Sequence, residues 1–293
     1  MMKVEAQDLS VVIPCKNEKK HLRFTLNSIL QAEYGQQVEL IVVDDGSTDG
    51  CCEVLSADFP TIKLLQTPGA GASYARNLGA KAAQGKVLVF CDANIEVEND
   101  LFSKLLQGFE QENVRVQAPY VSDMTNPATG GFGMTLNERL EGVWLGQVFD
   151  LTEVPVLPST CLAIYAEDYW QVGGFDEGFR ILGHEDVELS IRLWLCGYSL
   201  WLNPFTRIKH LFRSEKPYYF KRTHWVYNVL RLSCLHFNKK RIAKALKLFY
   251  NHSYFIPLVS EIMTSDVWER RKQLETLRKY DDEWYMSRFG IPF

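Results

Sequence analysis

The feature that most constrains this chain is the stretch KVLVFCDANIEV, residues 86–97. A continuous apolar run from Val87 to Cys91 reads as a strand buried on both faces of a parallel sheet. It ends abruptly in Asp92-Ala93-Asn94. Polar groups at the carboxyl end of such a strand sit where open α/β sheets bind ligands. Two residues apart on an extended backbone, Asp92 and Asn94 point the same way. Both could meet one metal ion or one phosphate-bearing ligand, or they could simply form an Asx-type turn.

The flanking sequence repeats the pattern. Residues 9–18, LSVVIPCKNE, read as a β-branched strand broken at Pro14, followed by a helix with Leu22, Leu26, Ile29 and Leu30 on one face. Val38–Val43 form a second strand, ending in DDGSTD, and residues 62–65 a third. GAGASYARNLGA, residues 69–80, reads as a Gly-rich loop running into a helix. Its glycines fit neither a P-loop nor G-x-G-x-x-G, but Arg76 and the amides at the helix start could meet a diphosphate. Strand and helix in alternation predict a doubly wound, largely parallel sheet with right-handed crossovers.

Farther on, residues 125–135 are turn-rich and predict a mobile loop over the crevice. GGFDEGFRILGHEDVELSIRLWLCG, residues 173–197, sets His184-Glu185-Asp186 at a helix start framed by glycines. The macrodipole favours acids there, yet the cluster exceeds what capping needs. A further strand leads to His210, Arg213 and Tyr218 in a Pro-containing loop. From residue 221 onward the pattern is helical. Lys239, Lys240, Arg241, Lys244 and Lys247 give it a basic face, which suits solvent, a second subunit or an anionic membrane surface.

With 293 residues, 46% of them hydrophobic, and a net charge of −4, the chain can bury a large core and gives no case for nucleic-acid binding. The opening residues lack the pattern of a secretory signal. No apolar run approaches the roughly 18–20 residues of a membrane span. A cytoplasmic location is therefore expected, with peripheral contact at the inner membrane face left open. The seven scattered cysteines, with no CxxC pair, read as buried reduced thiols.

Five segments together, VVIPCKNE, VVDDGSTDG, the Ala75-Arg76-Asn77 loop, Asp92-Ala93-Asn94 and Gly183-His184-Glu185-Asp186, resemble family 2 nucleotide-sugar glycosyltransferases of GT-A fold. The resemblance covers about residues 8–220, and the second half, through KHLFRSEKPYYF, is also similar to polypeptide N-acetylgalactosaminyltransferases. It implies an α/β GT-A domain, Rossmann-like and doubly wound with a mostly parallel sheet, over residues 1–220, and a helical C-terminal extension over 221–293. By the same resemblance, Pro14 and Glu18 line a nucleotide pocket, and Asp44 or Asp45 holds the base or ribose. Arg76 contacts the nucleotide. Asp92, Asn94 and His210 hold a divalent cation, Mn²⁺ or Mg²⁺, with Asp92 also touching ribose. Arg213 meets the diphosphate, Tyr218 belongs to a mobile loop, and Glu185 holds donor sugar or acceptor.

The implied reaction moves a sugar from a UDP-sugar donor to a saccharide or other hydroxyl or thiol acceptor. Asp186 would be the general base, and displacement would invert the anomeric centre. The alternative is a retaining transfer to peptide, since the polypeptide enzymes carry Glu-Asn where this chain has Glu185-Asp186. A sugar nucleotidyltransferase would show a basic Gly-rich loop near the amino terminus, which VVIPCKNE is not. An inactive nucleotide-sugar-binding module has Asn94 in its favour.

Overall fold

Alternation of apolar residues along the first strands sorts the chain into two cores. In the computed structural model, which describes residues 3–53, 55–213 and 215–293, β1 (Leu9–Cys15), β2 (Glu39–Asp44), β3 (Lys63–Gln66) and β4 (Val87–Cys91) lie side by side in the order β4-β1-β2-β3. All four are parallel. Val12, Ile41, Val43, Leu88 and Phe90 enter one core. Val11, Ile13, Leu40, Val42, Val87 and Val89 enter the other. A period of two on strands covered on both sides gives this division.

Helices α1 (Leu22–Gln31) and α4 (Leu101–Phe109) cover the second core, with α2 (Leu55–Asp58) a single turn at its edge. Helix α3 (Ala72–Ala82) covers the first, and it lies close to the sheet because position 79 is glycine. A Cβ there would come within 2.3 Å of Val12 Cγ1.

The chain continues through β5 (Ile95–Val97), β6 (Val116–Asp123) and the short strands β7 (Gly130–Gly131), β8 (Met134–Leu136), β9 (Gly142–Trp144) and β10 (Thr152–Glu153). After them come β11 (Cys161–Tyr165), helices α5 (Ala166–Gln171) and α6 (Glu185–Leu195), and β12 (Leu200–His210). β11 sits antiparallel between β4 and β6, and β12 is parallel to β6. β8 and β9 form a separate pair. The result is the expected doubly wound, mostly parallel sheet followed by helices: α7 (Arg222–His236), α8 (Lys239–Phe249), α9 (Phe255–Met263), α10 (Val267–Glu275) and α11 (Asp282–Phe289). α7 packs Val226, Val229 and Leu230 into the same core as Leu88 and Phe90.

Two expectations need correction. β1 is not broken at Pro14, which pairs in register with Val43. Pairing with β4 stops at Val12, so the missing proline N–H falls where that edge no longer requires one. Residues 125–135 are not a lid on the crevice. Part of the stretch forms β7 and β8, β7 pairs with β6, and none of it lines the cleft.

Candidate active site

The carboxyl ends of β1, β2, β4 and β12 open into one cleft of ≈ 130 Å³. Its walls include Pro14, Glu18, Asp45, Arg76, Asp92, Asn94, His210, Arg213 and Tyr218. This is the crevice position expected of an open α/β sheet.

Asp92 follows the last residue of β4 and faces the side of the sheet covered by α3. There the Arg76 guanidinium bridges two carboxylates, donating to Asp92 Oδ1 at 3.1 Å and to Glu185 Oε1 at 3.0 Å. Arg76 is 2% exposed. Burial works against its charge, but Glu185 and Asp92 outweigh that and hold its pKa above the usual range. Glu185 also accepts from Gly183 N at 2.5 Å, which ties the start of α6 to the bridge.

The Asp92–Ile95 turn is pinned from the opposite side by α1. The single Thr25 O–H donates to the Ile95 carbonyl at 2.7 Å, with the Ala93 carbonyl also within 3.1 Å, and Thr25 Oγ1 accepts from Ile95 N at 3.0 Å. β5 then pairs antiparallel with β12, opposing Ile95 to His210. That register brings His210 Nε2 to 3.6 Å from Asp92 Oδ2 and 3.3 Å from Asn94 Nδ2. Burial holds the imidazole pKa below its ordinary value, so the ring is neutral near pH 7 and able to act as a ligand.

Asn94 departs from the expected ligand set. It points its amide nitrogen at His210 and donates from that nitrogen to the Leu211 carbonyl at 3.1 Å. Turning the amide over would set two oxygens against each other at Leu211. In this arrangement Asn94 is a donor that holds His210, and its oxygen is not directed at the ring nitrogen.

Asp44 and Asp45 also separate. Asp45 lines the cleft and accepts from Thr67 Oγ1 at 2.5 Å and from Gly71 N, bracing the Gly-rich loop. Asp44 faces the other side of the sheet and accepts from Ser47 N at 2.8 Å. Adjacent strand residues point to opposite faces, so only one of the pair can serve the cleft. Gly71 has φ 96°, and a Cβ there would lie 3.2 Å from the Ile181 backbone, whose carbonyl accepts from Ala72 N.

On the opposite wall Arg213 is ion-paired with Glu18. Burial raises the Glu18 pKa and Arg213 offsets this. Burial also raises the Tyr218 phenol. Glu185 and Asp186 do not themselves line the cleft. Asp186 is half-buried and accepts from Val187 N at 2.8 Å. Burial and the neighbouring Glu185 push its carboxyl up to about 7.

Cleft residues that the sequence reading passed over include Lys16, Ile181, Leu182 and Lys216. Lys16 Nζ donates to the Asp45 carbonyl at 2.8 Å. A lysine directly after a buried strand was its only signal.

The sequence pattern of glycosyl transferase family 2 matches residues 10–169, more than half of the chain. The chain belongs to that family, and with it to the glycosyltransferases. A second pattern, described as the N-terminal domain of galactosyltransferase, matches residues 156–223. Human polypeptide N-acetylgalactosaminyltransferase 16 is 28% identical over 299 residues, 95% of this chain and 52% of that protein. Human polypeptide N-acetylgalactosaminyltransferase 14 is 29% identical over 95% of this chain and 53% of its own length. The chain thus spans about half the length of these curated relatives.

Among solved structures, GalNAc-T7 with UDP, GalNAc and Mn²⁺ aligns with a TM-score of 0.75 at 20% identity, over 96% of this chain and 56% of that one. Residues 1–349 of S. aureus TarS with UDP-GlcNAc align at 0.58 and 17% identity, over 96% and 80%. These likenesses establish the GT-A fold.

Proposed function

We propose that this chain transfers a sugar from a UDP-sugar donor, seated in the cleft, to an acceptor hydroxyl or thiol. The observation that carries this is the convergence of the Arg76 bridge, the Asp92–His210 pair and the Glu18–Arg213 pair at the ends of parallel strands. In this reading Pro14, Glu18 and Asp45 surround the nucleoside, and Arg213 faces the diphosphate. Arg76 holds Asp92 and Glu185 in place beside it. Tyr218, on the segment after β12, closes over the donor.

A divalent cation, Mn²⁺ or Mg²⁺, fits beside Asp92 and His210. The Asp92 carboxylate oxygen and the neutral His210 imidazole nitrogen, 3.6 Å apart, are the two groups of the chain that would hold it. Phosphate oxygens of the donor would complete the ligand set; the Nε2 lone pair that now faces the Asn94 amide would turn to the cation, with Asn94 left anchored on the Leu211 carbonyl. Such a cation supplies Lewis-acid neutralisation of charge on the departing diphosphate.

Asp186 is the base in this reading, and direct displacement inverts the anomeric centre. A carboxyl titrating near 7 is well matched to proton abstraction at neutral pH. A second reading, retaining transfer to a peptide, has two supports: Asp186 stands outside the cleft wall, and the relatives named above are polypeptide transferases. Two measurements decide. A panel of UDP-sugars, screened by thermal shift with Mn²⁺ and with chelator, should yield a cation-dependent rise in Tm for at least one donor. No shift with any of them would sink the donor assignment. Proton NMR of the product's anomeric centre then separates inversion from retention.

Residues 1–220 form the catalytic domain in this reading, and 221–293 an extension that buttresses it. No helix among the described residues is long and apolar enough to cross a membrane. Between α7, α8, α9 and α10 lies an apolar hollow of ≈ 330 Å³. Ile256 and Met263 of α9 stand exposed beside it, at 71% and 55%. Lys239, Lys240 and Lys247 flank this face, which suits peripheral contact with an anionic membrane surface on the cytoplasmic side. Co-sedimentation with anionic but not neutral vesicles is expected. Sedimentation as a dimer without vesicle binding would assign the face to a second copy instead.

A further inference from the structure

Strand alternation carries Cys15 to the face of the sheet opposite Arg76, and there it meets two more thiols. Cys15 Sγ lies 3.6 Å from Cys51 Sγ, which lies 3.6 Å from Cys52 Sγ. All three sulfurs fall within 4.8 Å of one another, and all three residues are buried. Four-coordinate tetrahedral zinc with Zn–S bonds of about 2.3 Å needs sulfurs about 3.8 Å apart. The two close separations already approach that edge length, whereas a disulfide would need about 2.05 Å. Cys91 and Cys161, at 3.8 Å, show the contrasting case of two packed thiols with no third sulfur grouped with them among the described residues.

The cluster is reachable. A hollow of ≈ 370 Å³ on the outer side is lined by Cys51 and Cys52 together with Asp44, Ser47, Thr48 and Gln66. Asp44 is the acid that alternation turns away from the donor cleft, and it stands at this hollow instead. A fourth coordination position on the side of this hollow is therefore open to water.

We infer that Cys15, Cys51 and Cys52 form a thiolate site for a thiophilic d¹⁰ cation of the Zn²⁺ class, set behind the donor cleft and separate from the Asp92–His210 pair. Binding forms one sulfur–metal bond per cysteine and breaks the corresponding S–H bond, releasing the protons to solvent. Softness separates the two sites: thiolates select Zn²⁺ or Cu⁺, while the carboxylate-bearing pair suits Mn²⁺ or Mg²⁺. Cys15 lines the donor cleft as well, so a cation here fixes the ends of β1 and β2 from which Lys16, Glu18 and Asp45 project.

The probe is Co²⁺, titrated into the full chain kept reduced by a phosphine and stripped of metal. One equivalent should develop a near-ultraviolet sulfur-to-cobalt charge-transfer band with tetrahedral visible bands, and Zn²⁺ should displace it. Cys51→Ser and Cys52→Ser should each weaken Co²⁺ binding at least tenfold and bleach the band. Cys161→Ser and His210→Ala should leave it intact. No charge-transfer band in the native chain would overturn the inference, as would a band that survives both serine variants or disappears in His210→Ala. If the serine variants do not fold, X-ray absorption on the zinc-loaded native chain decides. A first shell of sulfur at about 2.3 Å supports the site, and a shell of nitrogen and oxygen alone overturns it.

Discussion

Asn94 gives its amide nitrogen to His210 and to the Leu211 carbonyl, where a stronger cation site would present an acid. Replacing it by aspartate exchanges a neutral donor for a charged oxygen. Asn94→Asp should lower the Mn²⁺ concentration needed for donor binding by about tenfold, since ligand charge tunes affinity for hard cations. His210→Ala should raise it. Titrating the donor-induced thermal shift with Mn²⁺ checks both, and an unchanged cation requirement in both variants would move the cation elsewhere. Asp186 carries a prediction about pH. Its carboxyl goes from 3.8 to about 7 on folding, so between these values the folded chain keeps a proton that the unfolded chain has lost. The group's contribution to stability therefore falls as pH rises through that window, by linkage. Over the same window activity should climb with a midpoint near 7. Asp186→Asn should remove that limb and lower kcat by about 10²–10⁴-fold while donor affinity stays the same. An equal loss of donor affinity would make Asp186 a binding residue.

Helix α6 shows where patterning stops being informative. Val187, Ile191, Trp194 and Leu195 fall on one face at helical spacing, but every residue from Val187 to Leu195 is buried. Glu188 and Arg192, which a helical wheel turns to solvent, are 0% and 1% exposed because α7 covers them. Their charges are satisfied internally. Arg192 grips Glu188 at 2.9 and 2.7 Å, and His236 of α7 meets Glu188 Oε1 at 2.7 Å. The i,i+4 spacing by itself suits an exposed pair, and its burial depends on a helix some forty residues later. Removing one member leaves buried charge uncompensated, so Glu188→Ala should destabilise the chain by about 3–5 kcal/mol. Urea unfolding measures this, and a loss under about 1 kcal/mol would mean that water reaches the cluster. The active-site elements divide in the same way. Apolar runs with acids at their ends revealed the strands and Asp92. The β5–β12 register that brings His210 to Asp92 joins segments over a hundred residues apart, and only the motif resemblance hinted at it. Cys15 and Cys51 are likewise brought together by tertiary folding, which gave their spacing no local signature.

At the scale of the molecule, residues 221–293 read in the sequence as an appended helical segment, from their pattern and from where the family resemblance ends. The fold binds them far more closely. Val226, Leu230, Phe249, Leu258 and Tyr285 belong to the same continuous core as Leu88, Leu162 and Phe175. The Arg231 guanidinium, 0% exposed, binds Asp176 at 2.8 and 2.9 Å, and Tyr285 donates to the Pro155 carbonyl at 3.0 Å. Burying a large apolar face at about 25 cal/mol per Å², together with a paired internal charge, couples the extension to the sheet more strongly than an ordinary interdomain contact. The whole chain should therefore unfold in one cooperative step. Far-ultraviolet circular dichroism, which follows the helices, and fluorescence of the seven tryptophans, of which Trp225, Trp268 and Trp284 lie in the extension, should give superimposable urea curves, the usual sign of two-state behaviour. Two separated transitions would show that the extension folds by itself. Residues 1–220 prepared alone should be soluble only as a loosely packed state that binds a hydrophobic dye, because the buried Glu188 and Asp176 would lose His236 and Arg231 of α7, which now pair with them, and the face of α6 under α7 would meet water.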